Sequence, residues 1–141
     1  MTVRRVVSTR TPPDVVFAYL RDFENAVEWD SGTLSCTRTS GDGGPGTRYR
    51  NVSRFMGRTV TLDYTVDRSE SPTLALTGRS GGTTTVDTIT VTPTPDGSRV
   101  DYRAAFRLTG PARWVAPVVR IFLQRLADAT ETSLREALDR Q

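Results

Sequence analysis

From Thr33 to Leu108 the apolar residues recur at every second position, and short clusters of turn-forming residues interrupt the pattern at regular intervals. Val60, Leu62, Tyr64 and Val66 alternate with Thr59, Thr61, Asp63, Thr65 and Asp67; Val100, Tyr102, Ala104, Phe106 and Leu108 alternate with Arg99, Asp101, Arg103 and Arg107. Successive side chains of a strand point to opposite faces, so this period belongs to strands with one dry face and one wet face. Turn clusters at Gly41 to Gly46, Phe55 to Gly57, Ser69 to Pro72, Ser80 to Gly82 and Pro93 to Gly97 divide the stretch into six consecutive strands, joined as a meander.

The flanks read differently. Residues 2 to 9 form a β-branched first strand, and Thr11-Pro12-Pro13-Asp14 then predicts a helix start with a capping threonine and prolines in the first turn. Val15, Val16, Phe17, Tyr19 and Leu20 give that helix its apolar face. A second short helix runs from Asp22 to Trp29 and stops at Asp30-Ser31-Gly32. The tail from about Ala112 to Arg140 is the long helical segment: Val115, Val119, Phe122, Leu123, Leu126, Thr130, Leu134 and Ala137 share one side, with Pro117 near the first turn.

A sheet with one apolar face has to cover it, and these helices are what the chain offers. The expected architecture is therefore α+β: a curved antiparallel sheet of about seven strands wrapped around a long C-terminal helix, with two short helices after the first strand. A tail helix of about 26 residues is roughly 39 Å long and spans such a sheet, but one helix cannot fill a strongly bent face everywhere. The uncovered part is expected to be a mostly apolar cavity, of the usual size of about 300 to 1,000 Å³.

Residue usage narrows the chemistry. The chain of 141 residues fits a single domain over 1–141, and 36% hydrophobic residues with eleven glycines are enough to build a core. One cysteine, Cys36, excludes an intrachain disulfide and a thiolate-rich metal site. Without histidine there is no Ser-His-Asp or Cys-His arrangement, and since every basic side chain is arginine, no lysine can form a Schiff base. No metal site and no cofactor are expected. The opening Met1 to Val7 lacks the apolar run of a secretion signal, and the stretch Trp114 to Ile121 is far too short for a membrane span, so a cytoplasmic location is expected. The net charge of +3 is spread over charges of both signs, which argues against nucleic acid as a partner. Gly41 to Gly46 contains a G-x-G-x-x-G spacing, but a strand follows where a nucleotide site needs a helix.

Strand alternation also selects candidate pocket residues. Tyr49 and Asn51 are expected inside, with Arg48, Arg50 and Arg54 on the wet face. Val60, Leu62, Leu74, Leu76, Ile89, Val91, Tyr102 and Phe106 are the expected sheet wall, and Val119, Phe122 and Leu126 the helix wall. Ile89 and Val91 bring Asp87 to the inner side, where burial raises a carboxyl pKa, making Asp87 the candidate general acid or base, with Tyr64 as its partner. The plainer reading is that Asp87 sits near the strand end and binds solvent or a hydroxyl, and that the tyrosines are pocket wall. Trp29 is placed either as a cap on the cavity or as a core anchor, and Phe23, Phe55 and Met56 as elements of its mouth.

The order strand, two helices, six strands, long helix carries a resemblance, together with Pro12-Pro13-Asp14-Val15-Val16-Phe17 leading to Asp22, Glu28-Trp29-Asp30, Gly44-Pro45-Gly46-Thr47-Arg48-Tyr49 and Asp96-Gly97-Ser98-Arg99-Val100. The chain resembles the START-like helix-grip (SRPBCC) superfamily of birch-pollen-allergen type proteins, lipid-transfer domains and polyketide cyclase/dehydrases. The resemblance implies a hydrophobic guest, such as a lipid, isoprenoid or polyketide, between sheet and helix. Some members are aromatase/cyclases that shape a poly-β-ketone with pocket Arg, Tyr, Asp and Trp residues, while many only bind or carry. Three functions follow as expectations: a binder of a hydrophobic small molecule, a polyketide cyclase or dehydratase using Asp87 and pocket tyrosines, and a protein-interaction module. The chain is expected as a monomer or homodimer.

Overall fold

In the computed structural model, which describes the backbone of residues 1–141 and the side chains of 1–111 and 114–141, strand β1 (Thr2–Thr9) is followed by helix α1 (Pro13–Arg21). A 3-10 turn (Phe23–Asn25) leads into a short helix α2 (Ala26–Trp29). Six strands come next: β2 (Thr33–Ser40), β3 (Arg48–Phe55), β4 (Arg58–Glu70), β5 (Thr73–Ser80), β6 (Thr83–Thr94) and β7 (Gly97–Leu108). Helix α3 (Ala116–Asp139) closes the chain.

All strands join one antiparallel sheet in the order β1-β7-β6-β5-β4-β3-β2. The meander expected from the turn clusters is present, and β1 returns to pair with β7. Register shifts in β2 and β4 mark irregularities of the β-bulge kind, which bend a strand and sharpen its twist, and the sheet curls around α3. Arg5 fastens the helix to β1: its guanidinium donates to Asp128 Oδ1 at 2.7 Å and to Gln124 Oε1 at 3.0 Å.

Two local expectations need correction. Thr11 does not cap α1; its hydroxyl donates to the Leu138 carbonyl at 2.6 Å and ties the end of α3 to the start of α1. The extended residue ahead of α1 is Pro12, and Pro13 has no N–H to be capped. The long helix begins at Ala116 rather than about Ala112, because Gly110 turns with φ +63° into a 3-10 segment (Gly110–Val115) and Pro117 sits in the first helical turn.

The inner face of the sheet divides lengthwise into two clusters. The larger one joins Val7, Val100, Leu74 and Leu76 of the sheet to Val16, Leu20, Trp29 and the last turns of α3, Leu134, Ala137 and Leu138, and all of these are buried. The smaller one is Val3, Ala104, Val119, Leu123 and Ala127. Three helices converge over the first half, whereas only the first half of α3 covers the second.

A cavity bounded by a buried carboxyl cluster

Along each inner strand the residues run from the filled half to the sparsely covered half, and a row of polar side chains marks the change. Tyr64 on β4, Thr85 and Asp87 on β6 and Tyr102 on β7 form this row. Beyond it lies a cavity of about 690 Å³, within the size range expected from the sequence. Its walls include Val60, Leu62, Ala104, Phe106, Val119 and Leu126, and its inner end is formed by Asp87, Tyr64, Tyr102, Asp30 and Thr130. The mouth is lined by Phe55, Met56 and Arg58 at the β3–β4 turn and by Leu108, Val115 and Val118 before and at the start of α3. Phe55 leans edge-on against Phe122, ring centroids 6.4 Å apart.

Asp87 is buried and accepts three hydrogen bonds. Thr85 Oγ1 donates to Oδ1 at 2.8 Å, and the hydroxyls of Tyr64 and Tyr102 both donate to Oδ2 at 3.4 Å. The last two are long, so neither hydroxyl is committed strongly to the carboxyl. Burial pushes the Asp87 pKa up to about 7; the Thr85 bond works against this, the charge of Asp30 adds to it, and the tyrosine bonds oppose it. Burial also raises both tyrosines well above the ordinary phenol value, with Asp87 adding to the effect.

Tyr64 reaches Asp87 because of a glycine. Tyr64 on β4 lies opposite Gly78 on β5, which in turn lies opposite Thr85 on β6. Neighbouring strands stand about 4.8 Å apart, so a ring on β4 must cross β5 to reach β6. A Cβ at position 78 would stand 2.8 Å from the Tyr64 ring, so only glycine leaves room for the crossing. Gly78 carries no signal in the sequence, and Asp30 figures there only in the Glu28-Trp29-Asp30 mark and in the helix stop Asp30-Ser31-Gly32, not as a cavity carboxyl. Asp30 is a second carboxyl lining the cavity, half-buried, accepting from Thr33 Oγ1 at 2.8 Å and Thr130 Oγ1 at 3.1 Å, and loss of solvent around it raises its pKa.

The structure brings together Val60, Leu62, Tyr64, Asp87, Tyr102, Phe106, Val119 and Leu126 of the expected pocket residues. The others lie elsewhere. Leu74, Leu76, Ile89 and Val91 point inward as alternation requires, but into the filled half. Tyr49 packs edge-on against Phe23 at 5.7 Å in the same half, so Phe23 is core rather than mouth. Asn51 spends its amide on Thr33 Oγ1 at 3.0 Å. Trp29 is a core anchor, 1% exposed between Phe23 and Tyr102; among the described residues its Nε1 has no hydrogen-bond partner, so packing alone holds the indole. Phe122 stands outside the cavity against Phe55. Alternation identifies the face of a strand but not the position along it where the covering helices stop.

The family of polyketide cyclase / dehydrase and lipid transport proteins matches residues 1–139. The chain belongs to this family. Its fold is that of solved relatives: the protein TTHA0849 of Thermus thermophilus superposes with a TM-score of 0.79 at 20% identity, covering 98% of this chain and 95% of that one. The Zhui aromatase/cyclase from Streptomyces sp. R1128 gives 0.79 at 12% identity, covering 99% and 94%. A START superfamily protein from Mycobacterium smegmatis gives 0.69 at 17% identity, covering 96% and 98%. A search of the curated proteins found no match. Among the described residues no group of three metal-ligating side chains converges, and no helix is long and apolar enough to cross a membrane.

Proposed function

We propose that the protein binds a hydrophobic small molecule of the lipid, isoprenoid or polyketide kind, its apolar body along Leu62, Phe106 and Val119 and one oxygen function against Asp87, Tyr64 and Tyr102. The observation that carries this reading is a cavity of about 690 Å³ with an aliphatic and aromatic wall, into which Asp87, Tyr64 and Tyr102 bring a small hydrogen-bonded polar cluster. Such a site gains affinity from area and orientation from a few fixed polar contacts. Family membership supports a hydrophobic ligand or a cyclase role. Native mass spectrometry of the protein as purified tests it. One apolar guest per chain, displaced by an added fluorescent probe, is the expected result, and a chain that carries no guest and admits no probe overturns it.

A second reading rests on the placement of Asp87, a buried carboxyl that lines the cavity between the Tyr64 and Tyr102 hydroxyls and whose pKa burial pushes up to about 7. At neutral pH such a group is populated in both forms, as a general acid-base catalyst requires. As carboxylate it would take a proton from carbon next to a ketone while a tyrosine hydroxyl hydrogen-bonds the enolate oxygen. As neutral acid it would give a proton to a departing hydroxyl. No arginine pairs with Asp87 among the described residues, and the arginines that line the cavity, Arg54 and Arg58, flank the β3–β4 turn. Enolate charge would therefore fall to the tyrosines. Asp87→Asn separates the readings: loss of turnover of a poly-β-ketone with ligand binding kept supports catalysis, and unchanged turnover removes it.

A further inference from the structure

Around the mouth of the cavity the surface changes character. Val115, Val118 and Met56, which line the cavity, are exposed; next to Val115 in the chain Trp114 is 77% exposed, and three residues beyond Val118 Ile121 is 56% exposed. Single exposed hydrophobes are ordinary, but several on one stretch of chain mark a contact surface. The charges there are of one sign. Between Asp101 and Asp128 the chain has five arginines and no acidic residue, and between Asp42 and Asp63 four arginines and none. Arg58 lines the mouth itself, while Arg79, Arg107 and Arg120 line a shallow groove that shares Phe106 and Leu108 with the cavity. Among the described residues none of these four makes an ion pair. Acidic residues gather instead over the filled half, where Asp14, Asp22, Glu24, Glu28, Glu136 and Asp139 lie on or beside the helices that cover it.

We propose that this rim docks on an anionic lipid bilayer, with Trp114, Val118 and Ile121 entering the headgroup boundary and the arginines meeting lipid phosphates. Aromatic and aliphatic side chains flanked by arginines suit such an interface. A second copy of this chain fits worse, because a two-fold contact through the rim sets the same arginines against each other. A folded acidic partner would meet the charges but close the mouth with polar surface. A bilayer meets the charges and continues the apolar lining, so a guest need not cross water. The docking face stands whether or not the cavity holds the guest proposed above.

The chain has two tryptophans, and Trp29 is 1% exposed, so a change in emission on docking reports Trp114. With vesicles of equal parts phosphatidylglycerol and phosphatidylcholine, the emission is expected to shift to the blue and to be quenched by brominated acyl chains. Affinity should fall at least about tenfold on phosphatidylcholine alone or in roughly 0.5 M salt. Trp114→Phe should still sediment with the vesicles but lose the blue shift. Val118→Ser with Ile121→Ser should abolish sedimentation, and Arg107→Gln and Arg120→Gln should each weaken it by about fivefold. Unchanged near-ultraviolet circular dichroism verifies the fold of each variant. No binding to anionic vesicles, binding indifferent to the Val118/Ile121 pair, or capture by an acidic protein in place of vesicles each overturns the proposal. Filling the cavity with Ala104→Phe keeps the two readings apart, since vesicle binding should persist while a guest is lost.

Discussion

Strand β7 passes through two environments within one apolar face. Val100 is sealed by the helices with Leu20 and Leu138, whereas Ala104 and Phe106, two and three side-chain steps further on, face the cavity. Both stretches alternate in the same way, so strand chemistry does not explain the difference; the number of helices overhead does. α1, α2 and the end of α3 converge on the first region, and small residues such as Ala104 and Ala127 leave the second thinly filled. A sheet therefore becomes a container when its covering is uneven, and the row of Tyr64, Asp87 and Tyr102 stands at the boundary.

Truncation on the two sides of that row should differ most. Trp29→Ala or Leu138→Ala removes side chains packed on all sides and should cost about 4 kcal/mol in urea denaturation. Leu62→Ala enlarges an existing void and should cost less than about 2 kcal/mol, since fewer contacts are lost. Equal losses would mean that both halves are packed alike.

The boundary itself should show in the pH dependence of stability. Asp87 holds its proton up to about pH 7 when folded, against an ordinary carboxyl value of 3.8. Between these values the unfolded chain binds fewer protons, so stability falls as pH rises through this window and levels off above about pH 7. Asp87→Asn should remove a decline on the order of 3 kcal/mol between pH 4 and 8, leaving the decline due to Asp30, whose pKa burial also raises. An unchanged pH profile would show Asp87 to be solvated. Gly78→Ala should cost about 1 to 2 kcal/mol by pressing a methyl group against the Tyr64 ring, and should lower the Asp87 pKa if the displaced ring admits water. Both effects can be read from urea titrations at several pH values.

Much of this was legible in the residues. Period-two alternation and turn clusters yielded β2 to β7 in order, and the inward side of β6 placed Asp87 correctly. What stayed hidden was longitudinal. Leu74, Leu76, Ile89 and Val91 show the same pattern as Val60 and Leu62, and only the position of α1 and α2 separates core from cavity wall. Asp30 was concealed by its turn sequence, since the threonines that hold it, Thr33 and Thr130, come from β2 and from α3 about a hundred residues later. Gly78 carries no side-chain signal; its role exists only in the register of β4, β5 and β6.

The most direct test is a titration of the protein with an uncharged, environment-sensitive apolar fluorophore such as Nile red, run beside Ala104→Phe. A hollow second half should give saturable binding of one probe per chain, while the variant folds with stability within about 1 kcal/mol of the parent and binds none. A probe that fails to saturate, or that binds the filled variant equally well, would show that the space between Leu62, Phe106 and Val119 holds no guest.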